Sequence, residues 1–260
     1  TVSRCGMVYL EPAMLGVQTH LESWLSALLP RLDSRQGRSP DSAVIQRIPD
    51  LFEVFFDDCA KFVMNECPMA VPCSIVQLAR SLMRLFEAQL LSGDFLRDCH
   101  DPKVRLEEVI LQLDMRFIYA LVWSVGSVGD EQGQNAFSKF LREATVGVHS
   151  LEDGRSLKLD RACLIPNGGQ NVHEYLIEDQ RWISWRERLQ REANAAALGG
   201  DSGMMACCKM AFVPTTESMK ITSTIELCLA HKLPLLLVGP TGTGKSGSVQ
   251  QVCRDAPKDT

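Results

Sequence analysis

The chain has 260 residues, 45% hydrophobic and 23% charged, a composition that excludes collagen-like, mucin-like and wholly disordered classes. A formal net charge of −5 leaves no basic footprint for nucleic acid or an anionic membrane. The length suffices for one large or two small domains, and no apolar run is expected to reach the roughly 20 residues that span a bilayer.

Ten cysteines are present, without a CxxC pair, and the five histidines are scattered with none at ligand spacing from a cysteine. This usage predicts buried or free thiols in a reducing compartment rather than a disulfide framework. The chain opens at Thr1 without an initiator Met and stops at Thr260. A piece of a longer protein is the expectation.

Val2 to Leu10 reads as a short strand closed by Pro12, and Leu15 to Leu29 carries apolar residues at helical spacing. Pro30 to Pro40 reads as a polar connector. From Ile45 to Leu141 the pattern is mainly helical. Leu51, Phe52, Phe55, Phe56, Cys59, Phe62 and Val63 form one face, and Pro68 and Pro72 interrupt it. Ser74 is placed to cap a second helix through Leu78, Leu82 and Phe86. A third runs from Leu106 to Val122, Gly126 to Gly133 is a loop, and a shorter fourth ends near Leu141. Such a series predicts a helical subdomain.

Near Gly147 the composition changes. Loose alternation from Ser156 to Ile165, a turn at Asn167-Gly168-Gly169 and an extended run from His173 to Trp185 predict a β-hairpin. Ala193 to Cys208 reads as linker or loop. A helix through Ile221, Ile225 and Leu229 then leads to the strand-sized apolar run Leu233–Val238, which predicts a buried strand.

The next eight residues are Gly239, Pro240, Thr241, Gly242, Thr243, Gly244, Lys245 and Ser246, a full match to G-x-x-x-x-G-K-[ST] between a predicted strand and a predicted helix. A chance match in a chain of this length is on the order of one in a hundred. Glycines let the backbone curl so that successive N–H groups face phosphate oxygens. Lys245 brings an ammonium to the β- and γ-phosphates, the Ser246 hydroxyl can ligand Mg²⁺, and the helix N-terminus adds its dipole. The pattern predicts binding of a nucleoside triphosphate. Hydrolysis needs more: a carboxylate ending a later strand, and a group that positions water. Fifteen residues follow Lys245, with Asp255 and Asp259 but no such strand. This stretch alone is not expected to complete a hydrolytic site.

Other features favour plainer roles. Trp182 and Trp185 fit hairpin packing, Met204, Met205 and Met210 fit adaptable packing, and Asp57-Asp58 and Glu107-Glu108 fit solvated helix faces. No G-x-S-x-G elbow supports a nucleophile.

The order of these pieces resembles dynein heavy chains, the ring-forming AAA+ motors of axonemes and cytoplasm. Thr1 to Gly16 (TVSRCGMVYLEPAMLG) looks like the end of the second module's large subdomain. Ile45 to Gly147 is similar in layout to that module's small α-subdomain. Val213 to Asp259, with VPT, LPLLLVGPTGTGKS and PKD, looks like the opening of the third module. The threonine-rich loop sounds axonemal. Val17 departs from the aromatic residue the family often carries after LG, and Gly247 and Ser248 weaken the helix after the loop.

The resemblance implies an α/β fold with a large helical part: residues 1–29 end the second module's large subdomain, 30–150 form its helical small subdomain, 151–212 a β-hairpin and linker, and 213–260 the start of the third module with its P-loop. It implies ATP and Mg as ligands. It also implies that Arg4, of the SR pair, is a trans arginine finger for the preceding module's nucleotide, against the plainer reading of a surface ion pair. The partners implied are the rest of the heavy chain ring, with intermediate and light chains and microtubules reached through the intact motor. The implied location is the cytoplasm and cytoskeleton, in the ciliary axoneme. Two alternatives stay open: a short non-motor P-loop product acting as a binding module, and an unrelated P-loop ATPase.

Overall fold

The computed structural model describes residues 12–33, 40–198 and 213–255. The chain divides into two compact units, Thr1–His173 and Glu174–Thr260.

The first unit is a helical assembly. Helix α1 (Pro12–Leu32) is broken at Gly16, where φ is 65°, a left-handed angle that L-residues rarely hold inside a helix. Pro30, expected to open a connector, lies within this helix. Asp41 caps α2 (Ser42–Leu51) by accepting from the Ala43 N–H at 2.8 Å. Pro49 supplies no N–H to the helical ladder, and a π-helical turn, Phe52–Phe56, joins α2 to α3 (Asp57–Glu66). After Pro68 and Pro72, Ser74 and Gln77 form a reciprocal capping box at the start of α4 (Ile75–Leu90), so the predicted cap is present. A short α5 (Gly93–His100) follows that the apolar spacing did not announce, since Phe95 is its one fully buried side chain.

Helix α6 (Leu106–Ser124) is the centre of the unit, with both flanks of Phe117 buried. Phe117 meets Phe52 at 5.3 Å and Phe86 at 5.2 Å between ring centroids, both edge-on. Such contacts each add about 0.5–1.5 kcal/mol beyond burial. Contrary to the sequence expectation, this region is long and apolar enough to cross a membrane: Leu106–Val128 passes by length and composition, and 78% of its most apolar window is buried. The charges that interrupt it are tied within the unit. Arg47 grips Asp114 through two bonds of 2.6 and 2.9 Å, and Arg116 reaches Asp94 at 2.8 Å. Burial of this helix inside its own bundle accounts for the apolar run.

Part of the predicted Gly126–Gly133 loop is ordered as a 3₁₀ turn (Gly126–Val128), and Asp130 caps α7 (Glu131–Ala144). Phe140 of α7 stacks on Phe62 of α3 at 4.2 Å. Two hairpins occur where the sequence suggested one. Strands β1 (Val148–Ser150) and β2 (Ser156–Lys158) pair antiparallel. The loop between them is anchored on α2 and the π turn: Arg155 forks onto Asp50 at 2.7 and 2.8 Å, and Glu53 accepts the Glu152 N–H at 2.6 Å.

The second unit opens with the other hairpin, β3 (Tyr175–Glu178) and β4 (Arg181–Ser184). Its turn is Asp179-Gln180, both at positive φ (48° and 59°), which matches the right-handed twist of the strands. Asn167-Gly168-Gly169, the predicted turn, joins no strands of the described sheets. Trp185 is 1% exposed and begins α8 (Trp185–Leu198) rather than extending the hairpin. Helix α9 (Thr216–Ala230) carries a capping box between Thr215 and Ser218. Its C-terminus closes with Lys232 N–H on Leu229 O and Leu233 N–H on Cys228 O, with Lys232 at φ 54°, a Schellman arrangement with lysine where glycine is usual. Helix α10 (Lys245–Asp255) packs on α9.

Leu233–Val238 corrects the prediction of a buried strand. It has no strand assignment, and Leu236 and Val238 are each 84% exposed. An extended segment becomes a strand only when a neighbour takes up its N–H and C=O groups, and no described residue pairs with it.

Candidate phosphate-binding loop

The loop occupies the step between the end of α9 and the start of α10. Thr241–Gly244 form the turn and Lys245 is the first helical residue. Gly242 and Gly244 hold φ of 84° and 81°, and a Cβ on either would meet nothing within 4 Å. Backbone conformation, not crowding, therefore requires glycine there. The first N–H groups of α10 have no carbonyl within the helix to bond, and they lie where the helix dipole is positive. Backbone donors at a positive helix end suit phosphate oxygens.

Lys245 is folded back over the turn. Its Nζ donates to the Gly239 carbonyl at 2.7 Å and to that of Pro240, and it reaches Thr243 Oγ1 at 3.2 Å. Thr243 Oγ1 donates to the Pro240 carbonyl at 2.9 Å. The ammonium thus lies about 4.0 Å from where a Gly239 Cβ would stand, at the mouth of the turn. Ser246 is exposed beside it, with its hydroxyl available for a metal ion carried in with a phosphate chain. Ser248 is buried and bonds back to Gly244 O through both its N–H and its hydroxyl, which ties the helix start to the last glycine of the loop despite the low helix propensity of Gly247-Ser248. These residues fit a bound triphosphate with Mg²⁺.

The predicted loop residues, Gly239 to Ser246, are brought together in this turn. Arg4 lies outside the described residues, as do Asp259, the predicted strand Val2–Leu10 and the methionines at 204, 205 and 210. A separate cavity of about 290 Å³ has Arg188 and Glu192 of α8, Pro214, Glu226 of α9 and Gln251 of α10 on its walls; no residue of the loop lines it. Among the described residues no cluster of three His, Cys, Asp or Glu side chains is placed to hold a metal ion, and no two of the seven described cysteines are joined in a disulfide. The paired acids take the plain role expected of them. Asp57 and Asp58 are exposed in the first turn of α3, and Glu108 in the first turn of α6 pairs with Arg105. Sequence reasoning missed the role of Thr243, which the motif leaves free to vary.

Comparison with known proteins agrees with this layout. The family model described as dynein heavy chain AAA lid domain matches residues 48–187, more than half of the chain. A second, described as P-loop containing dynein motor region, matches residues 204–260. Human dynein axonemal heavy chain 3 is 27% identical across the whole chain. Human dynein axonemal heavy chains 1 and 2 are 28% and 26% identical over 95% and 99% of it. The chain spans 5–6% of the length of these three relatives. A helical lid followed by a P-loop, each matched by its own dynein model, is an AAA+ arrangement, and the chain belongs to the dynein heavy chain family.

Proposed function

We propose that Gly239–Ser246 binds ATP with Mg²⁺ and that the chain serves as part of an ATP-driven, microtubule-directed motor of the ciliary axoneme. The observation that carries this reading is the turn itself. Left-handed Gly242 and Gly244 open the backbone, and Lys245 is poised over it at the N-terminus of α10. In that role the loop N–H groups hold phosphate oxygens, Lys245 swings from the Gly239 and Pro240 carbonyls onto the β- and γ-phosphates, and Ser246 orients the metal ion. ATP supplies the phosphoryl group whose transfer drives a motor cycle. Groups that complete hydrolysis would come from segments of the ring outside these residues.

Within that reading, residues 1–29 and 30–150 close the second module, 151–212 connect, and 213–260 begin the third. Arg4 is assigned as an arginine finger for the preceding module's nucleotide on the strength of the family resemblance alone. The axonemal relatives support a place in cilium and cytoskeleton, with the heavy chain ring, intermediate and light chains and microtubules as partners.

Two measurements test the proposal. An antibody to residues 45–67 on denatured ciliated tissue should detect a polypeptide far larger than the 28.9 kDa of this chain; a band at that mass would contradict the motor reading. Photolabelling with an azido-ATP analogue should tag the loop and be abolished by Lys245→Ala; equal labelling of that variant would contradict the nucleotide reading.

A further inference from the structure

Beyond the residues that the motif fixes, Thr243 makes two contacts that tie the loop to its own lysine. Its hydroxyl donates to the Pro240 carbonyl at 2.9 Å, closing the turn from one side. The same oxygen accepts from Lys245 Nζ at 3.2 Å. One oxygen therefore links the curl of the backbone to the ammonium, adding a third contact to those that the Gly239 and Pro240 carbonyls make with Nζ. We propose that Thr243 is a positioning residue of the phosphate loop, holding Lys245 and the Pro240–Gly244 turn in a fixed mutual arrangement before a triphosphate arrives. This rests on the reading of the loop as a nucleotide site.

The reason is preorganisation. A flexible glycine-containing turn loses conformational freedom when it closes on phosphate, and a contact that has already closed it removes part of that cost. Valine keeps the branched shape of threonine but can neither donate nor accept, so it removes both contacts with little change in volume. Serine keeps the hydroxyl and loses only the methyl. Thr243 is exposed, so neither substitution disturbs a core.

The test uses the full chain and its Thr243→Val and Thr243→Ser variants, with two readouts. The first is equilibrium binding of Mg-ATP. Thr243→Val should bind five- to tenfold more weakly, and Thr243→Ser within twofold of the unsubstituted chain. The second needs no nucleotide: the rate at which an acylating reagent modifies Lys245, read by mass spectrometry against the exposed Lys61. It should rise at least threefold in Thr243→Val and be restored in Thr243→Ser. Unchanged acylation and unchanged binding in Thr243→Val would overturn the proposal, as would a serine variant that behaves like valine. Absence of ATP binding by the unsubstituted chain, with the acylation difference intact, would overturn the nucleotide reading while supporting the positioning role of Thr243.

Discussion

Lys220 Nζ lies 2.6 Å from Glu174 Oε1, joining a residue of the lid-matched segment to one of the P-loop-matched segment inside a single compact unit. Glu217, one turn back on α9, completes the triangle at 2.7 Å. The ammonium side chain is 9% exposed while the two carboxylates are 35% and 73% exposed. Either carboxylate can hydrate if the lysine is lost, but the lysine is stranded if both are lost.

This asymmetry makes a non-additive prediction. Glu174→Ala and Glu217→Ala should each cost about 1 kcal/mol or less. The double variant should cost about 3 kcal/mol, more than the sum, because it leaves a buried charge without a partner. Adding Lys220→Met to the double variant should recover most of the loss. Urea denaturation of the unsubstituted chain and the four variants checks it; additive single and double costs, or no recovery with methionine, would contradict this reading of the triad.

Lys232 is a lysine in a left-handed conformation at the end of α9, directly before the segment that feeds the loop. An L-residue pays roughly 1 kcal/mol for that angle, and glycine pays no such penalty. Lys232→Gly should therefore raise stability by up to about 1 kcal/mol, seen as a higher denaturation midpoint with an unchanged slope. A fall in midpoint would mean that the lysine side chain contributes more than its backbone costs.

The thiols divide by environment. Burial pushes the Cys99 thiol up to about 12 and raises Cys59 and Cys163 as well. Cys253 on α10 is exposed. At pH 8 a thiol with a value near 12 is ionised in roughly one molecule in ten thousand, and the thiolate is the reactive form. Iodoacetamide at pH 8 should modify Cys253 in the native chain and leave Cys59, Cys99 and Cys163 unmodified until denaturant is added. Peptide mapping reads the outcome; modification of Cys59 at the rate of Cys253 would contradict the buried assignment.

How much was legible in the sequence differs between elements. The loop was read residue by residue because Gly242, Gly244 and Lys245 are required by backbone geometry and charge, which any single sequence displays. Ser74 and its helix were equally readable, since a capping box is local. The membrane-length run in α6 was missed because Asp114 and Arg116 interrupt the pattern, and only their partners Arg47 and Asp94, distant in sequence, explain how those charges stay inside. The turn at Asp179-Gln180 escaped notice because neither residue is glycine, while Gly168-Gly169 drew attention and joins no described strand. Leu233–Val238 has the composition of a buried strand, but composition cannot supply the ladder partner that would make it one.

Titrating the chain with Mg-ATP and comparing Lys245→Ala tests Gly239–Ser246 as a triphosphate site. Saturable binding that the substitution weakens at least tenfold is expected, since Lys245 places its ammonium on the Gly239 and Pro240 carbonyls of the loop. Equal affinity in the two proteins, or no binding by the unsubstituted chain at millimolar ATP, would contradict it.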